Sequence, residues 1–143
     1  MLSYELWNKF AASMPTACVN AIICSNKGFL LVKRMNKPAK NKWWFIGGRI
    51  KHKQKLLDAL HEQIFEETEY LNEDYMSSFL NVSSSIFNDR HVVEINFLVW
   101  IKTDRDPVLN FEHSEYKWVT HDNLPEEIRK YLVNDFNDFS FNF

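Results

Sequence analysis

WWFIGGRIKHKQKLLDALHEQIFEETEY, residues 43–70, is the stretch whose reading decides the fold. Trp43 to Ile46 predict a short aromatic strand that stops at Gly47-Gly48. From Lys55 to Tyr70 the period becomes helical, with Leu56, Leu57, Leu60 and Ile64 as an apolar stripe at three- and four-residue spacing. Glycines in the connecting segment let backbone approach a ligand closely and leave carbonyls open to a metal. On the predicted helix Gln63, Glu66 and Glu67 fall within roughly 100° of one another, so their oxygens can converge on one cation. Magnesium favours such an oxygen-rich setting. Taken alone, the helix reads more readily as a solvated acidic face made of Glu62, Glu66, Glu67 and Glu69.

Working outward, Tyr4 to Met14 predict an amphipathic helix capped by Ser3 and ended by Pro15, with Leu6, Phe10 and Met14 as its apolar contacts and Trp7 beside them. Ala17–Cys24 and Phe29–Met35 predict a hairpin through the turn sequence Ser25-Asn26-Lys27-Gly28. Asn36-Lys37-Pro38-Ala39-Lys40-Asn41-Lys42 is a polar loop. Ser78–Phe87 and Val92–Lys102 predict two strands separated by Asn88-Asp89-Arg90. A strand at Tyr116–Val119 precedes a helix from Pro125 to Asn134, and an aromatic and polar tail, DFNDFSFNF, follows. No repeat or Pro/Gly/Ser linker divides the chain, so residues 1–143 are expected to form a single domain. Strands flanking a central helix, with a second helix late in the chain, predict an α/β protein, an α/β/α sandwich with a mixed β-sheet.

At 143 residues, 45% of them hydrophobic, the chain is long enough for a core, and its 15% aromatic content supplies much of the buried area. A formal charge of −2 argues against a nucleic-acid polymer as partner, which would call for a basic surface. A single nucleotide, its phosphates neutralised by a metal ion and two arginines, remains compatible. No apolar run is long enough to span a membrane and the first residues lack the pattern of a secretory signal, so a cytoplasmic location is expected. Cys18 and Cys24 fall in one predicted strand, roughly 20 Å apart when extended, beyond disulfide reach. They read as reduced thiols.

The Trp43–Tyr70 segment resembles the Nudix box: Gly, five residues, Glu, seven residues, Arg-Glu, an aliphatic, any residue, Glu-Glu, any residue, Gly, an aliphatic. Counted from Gly48, Gln54 stands at the first Glu, Glu62-Gln63 at Arg-Glu, Ile64 at the aliphatic, Glu66-Glu67 at the paired acids and Glu69 at the Gly. About half of the signature is retained. The pattern is similar to the GDP-mannose hydrolase branch, whose box is degenerate in this way. Lys33-Arg34, Asn36-Lys37-Pro38-Ala39, Trp43-Trp44-Phe45, Gly47-Gly48-Arg49 and Glu112-His113 before Tyr116-Lys117-Trp118 match further features of that branch.

The resemblance implies a Nudix-type fold and a magnesium-dependent hydrolase, with manganese as an alternative cation, acting on a nucleotide-sugar as its small-molecule substrate. It implies Glu67 as principal metal ligand, helped by the Gly48 carbonyl, Glu112 in the place of a Gln ligand, and Glu66 in support. Arg34 and Arg49 would grip the diphosphate, and His113 would be the general base. Water would attack the anomeric carbon and release the nucleoside diphosphate. A homodimer is a further expectation. Gln54 reads as structural, and His52, His61, His91 and His121 as surface residues. Two readings stay beside this one: a pyrophosphohydrolase acting on ADP-ribose or a nucleoside triphosphate, and a nucleotide-binding protein without catalysis.

Overall fold

The computed structural model describes residues 2–35, 40–87 and 89–129. The Asn36–Ala39 run, the aromatic tail and most of the predicted last helix lie outside them; that helix begins over 126–129, where Ile128 N and Arg129 N donate to the Pro125 carbonyl at 3.0 Å.

Helix α1 (Tyr4–Ser13) is capped by Ser3, whose hydroxyl accepts from Leu6 N at 3.2 Å. Strands β1 (Thr16–Ser25) and β2 (Gly28–Arg34) form the expected hairpin. The strand predicted to stop at the glycines does not stop there. Trp43–Trp44 is β3, paired to β2, and after Phe45 the chain resumes as β4 (Ile46–Arg49), antiparallel to β1 from Ala21↔Ile46 to Cys18↔Arg49. Glycine serves here for close approach rather than for a turn. A Cβ on Gly47 would lie 2.8 Å from the Val19 carbonyl oxygen and 2.1 Å from Asn20 Oδ1.

Helix α2 (Leu56–Thr68) follows, then β5 (Tyr75–Phe87), β6 (Arg90–Ile101) and β7 (His113–Val119). The last three strands begin two or three residues ahead of the sequence expectation, which carries His113 into β7. α2 ends at Glu69, whose left-handed φ of 58° and bond from its N–H to the Phe65 carbonyl close the last turn. Glycine is the residue that takes this conformation without strain.

The seven strands form one sheet in the order β3-β2-β1-β6-β5, with β4 also on β1 and β7 on β2. β6 runs parallel to β1 from Thr16↔Val92 to Cys24↔Trp100, and the other pairings are antiparallel, so the sheet is mixed. β6 fills one edge of β1, so β2 and β4 must share the other. β2 holds Cys24 and Ser25, and β4 holds Cys18 to Ala21. β2 and β7 therefore leave β1 at the point where β4 enters, and the sheet opens there. On one face Leu60 and Ile64 of α2 pack with Ala21, Ile23, Val32 and Val99. On the other, Leu124 and Ile128 pack with Ile22, Leu31 and Phe45. The architecture is the expected α/β/α sandwich.

Two apolar stripes differ from expectation. Leu57 is 52% exposed, and Ala59 takes its place in the α2 interface. Leu6, Phe10 and Met14 are 42%, 42% and 55% exposed, and Ala11 is the buried residue of α1. α1 is tied down by Arg90 Nη2 donating to Asn8 Oδ1 at 2.6 Å and by Trp7 beneath a guanidinium, instead of by its apolar stripe. His61, read as a surface residue, is half-buried with Nδ1 2.6 Å from the Tyr75 hydroxyl, and His91 is half-buried as well. Both cysteines are free, and burial pushes each thiol up to about 11. Among the described residues no helix is long and apolar enough to cross a membrane.

Two substitutions should act in opposite directions in thermal melts. Gly47→Ala drives a methyl into the β1 backbone and is expected to cost about 1–3 kcal/mol. Glu69→Gly relieves the left-handed residue against the added freedom of the unfolded chain, for a gain of at most about 1 kcal/mol. An unchanged melting point for Gly47→Ala would show that β4 is not held by close approach to β1.

Candidate active site

The last turn of α2, the end of β2 and the start of β7 meet where the sheet opens. The β2–β7 ladder shifts register between Lys33 and Arg34, which sets Arg34 opposite His113. The segment before β7 is held by the Glu112 carbonyl accepting from Met35 N at 3.0 Å and by Asn110 Oδ1 accepting from Glu112 N at 3.0 Å. Glu67 comes up from α2 on the buried side of the helix.

These constraints bring one ligand atom each of Glu67, Glu112 and His113 within 4.8 Å of one another. Glu67 is 2% exposed and His113 6%, whereas Glu112 is open to solvent. Glu67 Oε1 lies 3.6 Å from His113 Nδ1, and both Glu67 Oε2 and His113 Nδ1 are buried without a hydrogen-bond partner. Burial pushes the Glu67 carboxyl up to about 8; Glu112 and Glu66 add to the rise, while the bond from Gln63 and the charge of Arg34 oppose it. Burial lowers His113 to about 4, and Arg34 adds to that fall. The 3.6 Å approach is therefore a contact of two neutral groups, not an ion pair, between those values. Orphaned buried polar atoms are rare in folded proteins. A divalent cation is a fitting partner for this donor set, because it would favour the ionised carboxylate that burial disfavours.

The remaining expected residues divide. Gly48 lies across Gln63 from Glu67: a Cβ on it would sit 2.4 Å from Gln63 Oε1, while Gln63 also bonds the Glu67 carboxylate. Gln63 thus touches both the glycine and the acid, a role the sequence reading missed because it weighed Gln63 only as a ligand. Glu66 is exposed, and its carboxyl is raised by partial desolvation and by the neighbouring charges of Glu62 and Glu112. Gln54 has the structural role expected of it. Its Oε1 accepts from Lys51 N at 3.0 Å, and its amide bonds Glu62, which also takes Lys51 Nζ. Arg34 stands close enough to Glu67 and His113 to shift both. Arg49 turns to α1, its guanidinium 4.0 Å from the Trp7 ring centre. Nothing in the spacing of Trp7 signalled that stack.

The NUDIX domain family model matches residues 14–136. The low-salt glycan biosynthesis protein Agl8 of Haloferax volcanii is 34% identical over 61 residues, a match that spans 43% of this chain and 39% of that protein. The fold is similar to that of the MutT protein from Methanosarcina mazei, with a TM-score of 0.72 and 22% identity over 88% of this chain and 96% of that one. A Caenorhabditis elegans Ap4A hydrolase gives 0.68 and 16%, covering 87% and 96% of the two chains. The NUDIX domain of Shewanella oneidensis NrtR, complexed with ADP ribose, gives 0.64 and 18%, covering 84% of each.

The two buried groups carry a pH signature. Glu67 rises from 4.5 to about 8 on folding, so the folded chain binds the extra proton in that window and loses stability as pH rises through it. His113 falls from 6.5 to about 4 and does the reverse, adding stability as pH rises through its own window. Above 6.5 Glu67 is the member of the pair still titrating. The metal-free protein is expected to lose stability between pH 6.5 and 8, read as denaturation midpoints, and Glu67→Gln to remove that slope. A slope that survives Glu67→Gln assigns the titration to another group.

Proposed function

The chain belongs to the NUDIX domain family, and from that premise we propose a divalent-metal-dependent hydrolase that splits a nucleoside diphosphate sugar of the GDP-mannose kind into the nucleoside diphosphate and the free sugar. The observation that carries the reading is the gathering of Glu67, Glu112 and His113 within 4.8 Å. Glu67 and Glu112, with the Gly48 carbonyl, would hold the cation, and Glu66 would support it from the exposed side of the helix. Magnesium, or manganese in its place, would when bound stabilise the charge that collects on the departing diphosphate.

Arg34 and Arg49 are assigned to that diphosphate, because the fixed fork of a guanidinium matches phosphate oxygens. His113 is assigned as the general base. With its ring proton on Nε2, Nδ1 offers a lone pair to which no other group donates, and that lone pair receives the proton of the attacking water. A value near 4 makes the imidazole a weak base, yet one that stays in the accepting form through neutral pH.

The box positions favour attack at carbon. Gln63, in the place of the Glu of the Arg-Glu pair, has no carboxylate with which to activate water at phosphorus, and Glu62 is held by Lys51 and Gln54. The likeness to a glycan biosynthesis protein supports a sugar-bearing substrate. A second reading, cleavage within the phosphate chain, draws support from the likeness to an ADP-ribose-bound domain and to an Ap4A hydrolase.

GDP-mannose incubated with magnesium in oxygen-18 water tests the two. Release of GDP and mannose with the label in mannose is the expected outcome, with Glu67→Gln lowering turnover about 100-fold or more. GMP with mannose 1-phosphate, or label in phosphate, establishes the second reading instead.

A further inference from the structure

Arg49 follows Gly48 in β4, yet its side chain lies against α1 on the Trp7 ring, 4.0 Å from the ring centre. The same two residues, with Phe10, Met14 and the segment Pro15–Ala17, line a cavity of about 200 Å³. That volume is below the roughly 300–1,000 Å³ that houses a whole ligand, so it suits one flat moiety of a larger molecule whose remainder lies elsewhere. The wall is aromatic and aliphatic, and its one charged member is the arginine assigned to the diphosphate.

α1 is an unusual wall for such a cavity. Its apolar residues Leu6, Phe10 and Met14 are 42–55% exposed, and the helix is anchored through Asn8 and Trp7. An amphipathic helix ordinarily turns such a stripe to the core. Here Phe10 and Met14 border a cavity that begins one residue beyond the glycine backbone of the proposed metal site.

We propose that the Trp7–Arg49 stack, edged by Phe10 and Met14, is the subsite for the nucleobase of the substrate, with Arg49 joining base to diphosphate. This rests on the hydrolase reading given above, and names where that substrate's aromatic end is bound. A guanidinium lying on an indole extends a flat stacking surface, and bases stack on such planes whatever their hydrogen-bonding edge. The remaining N–H groups of the guanidinium can then meet phosphate oxygens. The sugar end, leaving toward His113, takes no part in this contact. Trp7 would be a binding residue, setting affinity for the nucleotide rather than the rate of bond cleavage.

The test compares two probes that share the diphosphate and differ in the base: GDP and inorganic pyrophosphate, each titrated calorimetrically with manganese. Trp7→Ala is expected to weaken GDP binding by roughly 5- to 150-fold, the range for one lost base stack, and to leave pyrophosphate binding within about twofold. Trp7→Phe should restore most of the loss, and Phe10→Ala, at an exposed position, should weaken GDP alone to a smaller degree. Equal losses for both probes in Trp7→Ala, with no rescue by Trp7→Phe, would mean that Trp7 only holds the fold, and the subsite would be rejected. Unchanged GDP binding rejects it as well. A wild-type protein that binds GDP no better than pyrophosphate rejects the subsite and leaves the hydrolase reading standing. A wild-type protein that binds neither removes both.

Discussion

Glu67 is buried beside His113 without enough partners to satisfy either, and the rest of the site is built around that fact. A carboxyl that is 2% exposed would be inexpensive if it were fully hydrogen-bonded. One of its oxygens is instead left alone, and so is the facing imidazole nitrogen. The fold enforces the arrangement from both sides: α2 is pinned to the sheet by Leu60 and Ile64, and His113 is fixed by the β2–β7 ladder. The strain is relieved by protonation of Glu67 or by a cation. Burial thereby couples the charge state of the site to what occupies it.

What the sequence made legible follows the reach of each signal. The box helix was plain from Leu56, Leu60 and Ile64, since periodicity reports a buried face directly. The hairpin was plain from its turn residues. Gly47-Gly48 misled because glycine has two uses, a free backbone and a small profile, and only tertiary context says which one applies. The α1 stripe misled in the same way, because Leu6, Phe10 and Met14 have core-like spacing with no core opposite them. The convergence of Glu67 with Glu112 and His113 spans distant parts of the chain and no periodicity encodes it. There it was the resemblance, not the spacing, that named the residues.

The departures from the family box become physical once placed. Glu69, where the family has Gly, occupies the left-handed residue that ends α2, so this change bears on backbone comfort and leaves the chemistry alone. Gln54 and Glu62, where the box has Glu and Arg, meet one another here, with Lys51 supplying the positive charge. Gln63 lies against Gly48 and bonds the Glu67 carboxylate. The first three changes preserve the loop and the helix end. Gln63 alone removes a negative charge from the neighbourhood of the cation.

Gly48 and Arg49 join the two halves of the proposed reaction. Alternate residues of a strand point to opposite faces. Gly48 therefore turns toward α2 and the acidic cluster, while Arg49 turns toward α1 and Trp7. The pairing of β4 with β1 fixes that alternation, because a slip of one residue would send the arginine into Gln63 and the glycine to Trp7. Gly47 locks the register by fitting against Asn20 and the Val19 carbonyl, where no larger residue fits. The placement of a diphosphate between metal and base would thus depend on a glycine that touches neither. A single strand register would then set the spacing between the proposed chemistry on one face and the proposed recognition on the other.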